Sequence, residues 1–450
     1  MQTAEALAAG PGRVRSRKIT VDLETNERMS KRWWLLGLVG LISAGLLVAC
    51  GSNYNSSSNG LVLVGSQGSS VIQTFSFDLN SGHISSISNS TNDTGNETCL
   101  LNGSPAAMVA DPAGQYTYVI FNKSDQCQNA TQLGIASFQI KSDGTVAQVG
   151  TLVLDANPVS LSMDPAGKFL FVAEGTAGLV NVYAIGSGAT LTQVGGTFAF
   201  PATQTAPNIV AVAPTPTVFP SIGLNGTQNA VCSAGTNPPT SQFLYAVDAT
   251  NYMVWEFSVD MSSGALGNPP GKTVVTGFPT DAVPAGVAVD PCDRFVYVSG
   301  SLHNKISAYT ICTQAVATGP CFTADGSLIP VSGSPFSMAG SIIDAGSLVV
   351  DPYGKYVYVL GTGSNTLSGF TISPVTGSLV AMSPATVNTG IGPKSIVIRQ
   401  DDNWMFVTNY GFIGQGGSTV SQYSITPATG ALSVLPAIQT DNYPFGVAVK

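Results

Sequence analysis

The sequence predicts an all-β chain, a seven-bladed β-propeller of four-stranded antiparallel blades that is closed by its C-terminal strand. Charged residues make up only 9%, while 50 Gly and 27 Pro separate short apolar runs, as in turn-rich β-proteins. A strand that ends in a tight turn recurs along the chain, and an aromatic strand recurs seven times. Four strands in a unit of about 50 residues are typical of a propeller blade.

The recurring turn has the pattern Asp-Pro followed two residues later by Gly or Asp. Asp at the first position and Pro at the second are the preferences of a type I turn, so each copy predicts a strand followed by a reversal. We therefore expect the turn aspartates to be structural rather than catalytic. They are Asp111, Asp164, Asp290 and Asp351.

Each turn is followed by a strand containing an aromatic residue and Val, such as Tyr118-Val119, and then by a third strand with aromatic and apolar residues in alternation. Period-two alternation places the aromatic residues on one packed face, so we expect them in the core. The seven third-strand aromatics are Phe75, Phe138, Tyr183, Phe257, Tyr309, Phe370 and Tyr423.

A Gly-containing hairpin then leads to a fourth strand, and the order of strands predicts how the ring closes. The repeats begin at Leu61 with a second-type strand and end with a first-type strand over 444–449. The last strand should therefore complete the blade that the first begins, which gives seven blades and no free edge. An insertion at about 214–242 interrupts the fourth blade and should form a surface loop.

The N-terminal region predicts export. Basic residues precede an apolar run from Trp33 that ends in Leu-Val-Ala-Cys50, the arrangement of a signal peptide. Its last four residues resemble the bacterial lipobox, which implies cleavage before Cys50 and lipidation of that residue. We expect residues 1–49 to be a signal region with its true start at Met29, 50–60 to be a flexible tether, and 61–450 to be the propeller. The expected location is the cell envelope, with the propeller outside the cytoplasm and the lipid holding it to the membrane.

Six cysteines remain after Cys50, and an even number in an oxidising compartment favours disulfides. The order of strands places them in pairs at the same end of the propeller. We expect bonds between Cys99 and Cys127, Cys232 and Cys292, and Cys312 and Cys321.

Charge and composition limit the possible partners. From Cys50 onward the chain has 10 basic and 21 acidic residues, a balance that disfavours nucleic acid. The only histidines, His83 and His303, have no short ligand spacing, so we expect no zinc site and no cofactor, and leave a weak oxygen-ligated Ca²⁺ site open. We expect a monomer that binds a protein or carbohydrate ligand.

Ligands of propellers are expected at the face formed by the loops that lead into first strands and leave second strands. Carboxylates there are few, and Glu174 is one of three glutamates after Cys50. His303 follows a second strand and reaches toward the same face. The candidate ligand-face residues are Glu174, Asp248, His303, Asn409, Lys394 and Asn208.

The Asp-Pro-x-Gly turns and the strands after them resemble the YVTN-type and lactonase-like families of seven-bladed bacterial propellers over about 61–450. The resemblance implies a hydrolase or isomerase acting on sugar lactones as one alternative. Neither Arg294 nor Arg399 matches a lactonase motif, and acid–base groups are scarce. We therefore expect the main role to be that of a binding or scaffolding module at the envelope rather than that of an enzyme.

Overall fold

Seven antiparallel sheets follow one another along the chain in the computed structural model, each forming one blade of a propeller. The structure describes residues 59–87, 103–123, 132–200, 206–216, 241–313, 321, 323–338, 342–412 and 415–450. The predicted sheet architecture is confirmed. Within these residues, no helix has the length and apolar character needed to span a membrane.

The first four blades are built in the same order from the centre outward. Blade 1 contains β30 (Pro444–Val449), β1 (Asn59–Ser66), β2 (Val71–Asp78) and β3 (Ile84–Ser86); blade 2 contains β4 (Ser104–Ala110), β5 (Tyr116–Asn122), β6 (Gly134–Ile140) and β7 (Val146–Val153); blade 3 contains β8 (Ser160–Met163), β9 (Phe169–Glu174), β10 (Leu179–Ile185) and β11 (Leu191–Ala199); blade 4 contains β12 (Ile209–Pro214), β13 (Gln242–Asp248), β14 (Met253–Val259), β15 (Leu266–Gly267) and β16 (Thr276–Pro279).

Blades 5 to 7 repeat this order, and the outer strand of blade 5, like that of blade 4, is split into two short pieces. Two 3-10 turns, at Gly175–Ala177 and Ser187–Ala189, belong to blade 3. Blade 5 contains β17 (Pro284–Val289), β18 (Phe295–Gly300), β19 (Lys305–Ile311), β20 (Leu328–Pro330) and β21 (Phe336–Ser337); blade 6 contains β22 (Ala345–Val350), β23 (Tyr356–Gly361), β24 (Thr366–Ile372) and β25 (Leu379–Asn388); blade 7 contains β26 (Pro393–Ile398), β27 (Trp404–Phe412), β28 (Gln415–Thr426) and β29 (Ala431–Gln439).

The ring closes as the sequence predicts. β30 pairs antiparallel with β1, so that Val62 lies opposite Val449 and Val64 opposite Val447. Seven clusters of buried apolar side chains each join two neighbouring blades, including blade 7 to blade 1. The C-terminal strand therefore supplies the innermost strand of the blade that the N-terminal strand begins.

The predicted core aromatics are buried, each with no more than 5% of its surface exposed. Tyrosines of three second strands add a repeated hydrogen bond between blades, because each hydroxyl donates to a glycine carbonyl of the next blade. The bonds are Tyr245 to Gly326 (2.6 Å), Tyr297 to Gly377 (3.0 Å) and Tyr358 to Gly430 (2.7 Å). These contacts fix the angle between blades as well as their spacing.

The end of the propeller that carries the Asp-Pro turns is called here the turn face. Asp111 accepts hydrogen bonds from the backbone N–H groups of Gln115 (2.6 Å) and Tyr116 (2.7 Å), which confirms the structural role predicted for this aspartate. Gly114 has a φ of 61°, and Asp402 occupies the corresponding position of blade 7 with a φ of 56°. Glycine is preferred there because L side chains are strained at positive φ.

The Cys312–Cys321 disulfide is present, as predicted. Cys50, Cys99, Cys127 and Cys232 lie outside the described residues, so the lipidation and the other two predicted bonds stay predictions. In blade 4, β12 ends at Pro214 and β13 begins at Gln242, and 217–240 of the predicted insertion lies outside the described residues.

Candidate functional site

The end of the propeller opposite the turn face is called here the loop face, because the loops into first strands and out of second strands lie there. Lys394 is the second residue of β26, five residues before the turn of its blade begins. In the other six blades, the residue five positions before the turn is small or apolar. These are Ala106, Val159, Val210, Ala285, Gly346 and Phe445.

Lys394 therefore places a positive charge at the loop-face end of an inner strand, at a position where the other blades have none. Its Nζ lies 5.0 Å from the centroid of the Phe445 ring in the next blade, a cation–π contact. Desolvation lowers the pKa of the Lys394 ammonium. In the part of the chain that the structure describes, no carboxylate forms an ion pair with this lysine. The ammonium is available to an anion or to an oxygen that gains negative charge.

A histidine–carboxylate pair lies on the same face. His303 belongs to the hairpin between β18 and β19, and Asp281 belongs to the loop that leads into β17. The His303 Nδ1 lies 3.0 Å from the Asp281 Oδ1. The imidazole is 54% exposed, whereas the carboxylate is only 9% exposed. A buried carboxylate beside Nδ1 favours the tautomer that carries its proton there, which leaves the Nε2 lone pair for a water or a substrate.

Asp281 is held in place from two sides. Its backbone N–H donates to the Ser307 Oγ at 2.9 Å, and a Cβ at Gly300 would meet its Oδ2 at 2.8 Å. Oδ2 is buried and has no hydrogen-bond partner in the protein. The carboxylate is therefore positioned by packing against Gly300 and keeps one oxygen free to accept a further hydrogen bond.

Glu174 is buried rather than exposed at the loop face, with 3% of its surface exposed. Its Oε1 accepts a hydrogen bond from the Asn181 Nδ2 at 2.8 Å, and the Asn181 Oδ1 accepts one from the Gln193 Nε2 at 3.1 Å. Desolvation raises the pKa of Glu174, the Asn181 hydrogen bond opposes that shift, and the nearby Asp155 charge adds to it. This glutamate is engaged in a polar network within blade 3.

Asp248 is fully buried and accepts hydrogen bonds with both oxygens. Oδ1 accepts from the backbone N–H groups of Asn208, Thr250 and Asn251, and Oδ2 accepts from the Asn251 Nδ2 and the Trp255 Nε1. These bonds hold the hairpin after β13 to the strand that begins at Ile209. Asp248 therefore positions Asn208, and its lone pairs are already used.

Asn409 is buried in the same manner. Its Oδ1 accepts from the Gly390 backbone N–H at 3.0 Å, and its Nδ2 donates to the Thr419 Oγ1 (2.9 Å) and the Ser421 Oγ (3.0 Å). Asn409 thereby joins the loop that leads into β26, the strand of Lys394, to two strands of blade 7. Its role is to hold that loop in place.

The six predicted ligand-face residues thus separate into two groups. His303 and Lys394 present polar atoms to solvent at the loop face, whereas Glu174, Asp248 and Asn409 bind other protein groups and Asn208 is joined to Asp248. The sequence analysis missed Asp281. Asp281 lies three residues before Pro284, the first residue of β17. A search of the loops that lead into first strands for carboxylates would have found it.

A cavity of about 860 Å³ opens on the turn face, and the arginine in its wall is bound to neighbouring groups. Arg399 Nε donates to the backbone oxygen of Lys450 at 3.2 Å, and its Nη1 contacts the Asp401 carboxylate. No group of three or more His, Cys, Asp or Glu side chains in the described residues could hold a metal ion. The exposed histidine–carboxylate pair and the unpaired lysine make the loop face the stronger candidate for chemistry.

Comparison with known proteins gives a consistent picture. Residues 61–217 and 323–448 match the family described as "Lactonase, 7-bladed beta-propeller", which is more than half of the chain. A probable 6-phosphogluconolactonase of Arthroderma benhamiae is 24% identical over 391 residues, covering 83% of this chain and 84% of the relative. The 6-phosphogluconolactonase of Serratia proteamaculans is 23% identical, covering 70% of this chain and 82% of the relative.

A periplasmic gluconolactonase of Pseudomonas aeruginosa has the same fold, with a TM-score of 0.64 and 16% identity over 87% of this chain and 99% of that one. The expectation of a non-enzymatic binding or scaffolding module was wrong, because both the matching family and the relatives are lactonases. The scarcity of acid–base groups misled the sequence analysis, since one histidine with one carboxylate is enough for general base catalysis.

Proposed function

Because the chain belongs to the family of seven-bladed β-propeller lactonases, we propose that it hydrolyses a lactone ring at the loop face. The observation that carries the proposal is the 3.0 Å contact between the His303 Nδ1 and the Asp281 Oδ1. This contact joins an exposed base to a buried carboxylate in a family of hydrolytic enzymes. It is the arrangement that general base catalysis requires.

In the proposed reaction, the His303 Nε2 accepts a proton from a water molecule as the water oxygen attacks the lactone carbonyl carbon. The carbonyl oxygen becomes negatively charged in the tetrahedral intermediate. The ring C–O bond then breaks, and the imidazolium returns its proton to the ring oxygen, which leaves as a hydroxyl. The product is a hydroxy acid, which loses a proton to water and becomes a carboxylate. Asp281 stabilises the positive charge that the imidazole carries in between.

Lys394 is the second group in this proposal. Its ammonium has no carboxylate partner among the described residues and contacts the Phe445 ring, so it is available to a negatively charged oxygen. We propose that it attracts the negatively charged product on this face.

The activity is tested by proton release from glucono-1,5-lactone, measured above the spontaneous rate. We expect His303→Gln to lower kcat by about 100-fold or more, the range for loss of a general base. Asp281→Asn should lower kcat while KM changes little, because the asparagine cannot stabilise the imidazolium.

The matched control is His83→Gln, which removes the other histidine of the chain from an exposed hairpin of blade 1. It should leave kcat unchanged. Full activity in His303→Gln would refute the assignment of the base, and no hydrolysis of any lactone by the unaltered protein would refute the function.

We also propose that the protein is exported and held to a membrane by a lipid on Cys50. The Leu-Val-Ala-Cys50 segment after an apolar run supports this, as does the likeness to a periplasmic gluconolactonase. A lactonase so placed would meet lactones outside the cytoplasm.

A further inference from the structure

The positive charges of the propeller can be counted completely. From Cys50 onward the chain has two arginines and eight lysines, and all ten lie in the described residues. Their positions therefore decide what negative charge the loop face can bind. What these positions imply about the substrate rests on the proposed lactonase function, because it concerns that same site.

Neither arginine is available to the site. Arg294 lies on the turn face and forms a two-pronged ion pair with Asp290, with Nε–Oδ2 at 2.8 Å and Nη2–Oδ1 at 2.7 Å. Arg399 also lies on the turn face and contacts Asp401. Arginine is the side chain best suited to phosphate, because its planar fork binds two oxygens at once.

Most lysines also lie away from the loop face. Four belong to the turn face. Lys272 lies between β15 and β16 at the outer edge of blade 4, with its Nζ 3.7 Å from the Asp325 Oδ2. Three lysines lie on the loop face. Lys123 follows a second strand and Lys305 begins a third strand, whereas Lys394 lies on a first strand, which is the innermost strand of its blade. The four turn-face lysines are Lys141, Lys168, Lys355 and Lys450.

The rest of the loop face is acidic or apolar. Six carboxylates belong to its described loops and strand ends, twice the number of lysines, so its field opposes the approach of a dianion. Large apolar side chains also project from these loops with 41–61% of their surface exposed. The carboxylates are Asp155, Glu174, Asp248, Asp281, Asp344 and Asp441, and the apolar side chains are Tyr252, Leu302, Ile343, Ile391 and Phe412.

We propose that the site takes lactones without a phosphate group and discriminates against their phosphate esters, because the loop face, in its described residues, has no arginine and more carboxylates than lysines. A phosphate ester carries about −1.5 to −2 charges at pH 7, and three lysines among six carboxylates on the loop face do not neutralise it. A neutral lactone brings no such charge. Its hydrolysis creates a single negative charge, which one ammonium matches.

The test compares kcat/KM for glucono-1,5-lactone and for its 6-phosphate ester with the full-length protein. We expect the unphosphorylated lactone to be preferred by at least about 10-fold. Equal or better use of the phosphate ester would overturn this inference and leave the proposed function standing. Hydrolysis of neither compound, nor of any other lactone, would overturn the proposed function and this inference with it.

A second variant tests the cause of the preference. Ala285→Lys adds a cation at the position of blade 5 that corresponds to Lys394, and Ala285→Gln adds a side chain of related length without charge. We expect the lysine variant to reduce the preference several-fold, and more so at low salt, while the glutamine variant does not. An unchanged preference in both variants would show that charge does not set the selectivity.

Discussion

Replacing Glu256 with glutamine should remove a loss of stability that the protein undergoes as the pH rises. Glu256 lies on β14, is fully buried, and neither of its carboxylate oxygens has a hydrogen-bond partner in the protein. Gly326 packs so closely that a Cβ there would lie 2.6 Å from the Oε1. Desolvation, with a smaller effect of the nearby Asp325 charge, raises the pKa of Glu256 from 4.5 to about 8, and Lys272 opposes the shift.

The direction of the effect follows from proton binding. Between pH 4.5 and about 8 the folded protein retains a proton on Glu256 that the unfolded chain has released. Stability is therefore greatest at low pH and falls as the pH rises through this window. One pKa unit corresponds to about 1.4 kcal/mol, so this carboxyl alone lowers the free energy of unfolding by about 3 kcal/mol between pH 5 and pH 8.

The assay is urea-induced unfolding of the wild-type protein and Glu256→Gln at pH 5, 6, 7 and 8. Glutamine keeps the shape but cannot ionise, so the stability of the variant relative to wild type should rise by about 3 kcal/mol across this range. Asp155→Asn, which removes one exposed negative charge, is the matched control and should show no comparable trend. A difference between Glu256→Gln and wild type that stays constant with pH would refute the reasoning.

Two further predictions concern the ends of the propeller region. A chain that stops at Asn442 lacks β30, so blade 1 loses its inner strand and the buried side chains of Val447 and Ala448. We expect the free energy of unfolding to fall by on the order of 5 kcal/mol. A urea midpoint equal to that of the intact chain would disprove the closure. Cys50→Ala should abolish labelling by radioactive palmitate and release the protein from the membrane fraction, whereas undiminished labelling would exclude Cys50 as the acylated residue.

The architecture could be predicted because its determinants are local and repeated. The turn at Asp111 is specified by four adjacent residues, and Phe138 is recognised as core from alternation within one strand. Ring closure followed from counting strands, since a chain that begins with a second strand and ends with a first strand has one way to complete its blade. None of these inferences needed to know which side chains meet across blades.

The site could be predicted only in part, because contacts between distant residues decide it. The sequence placed Glu174 at a strand exit, but whether its carboxylate faces solvent depends on Asn181 of the next strand, which binds it. Asp281 carries no motif and is joined to His303 only by the folding of two loops 22 residues apart. The position of a residue in a strand predicts the face on which its side chain lies, but the residues that contact it decide whether its polar atoms are free.

The pairing of β30 with β1 also sets an order of events in folding. Blades 2 to 7 are each built from consecutive strands, so each can form from its own segment of the chain. β1 must wait for residues 444–449, and until then its inner edge has unpaired N–H and C=O groups that could pair with another chain. The first blade to begin is therefore the last to be completed, and its inner edge stays open to aggregation until the C-terminal strand pairs with it.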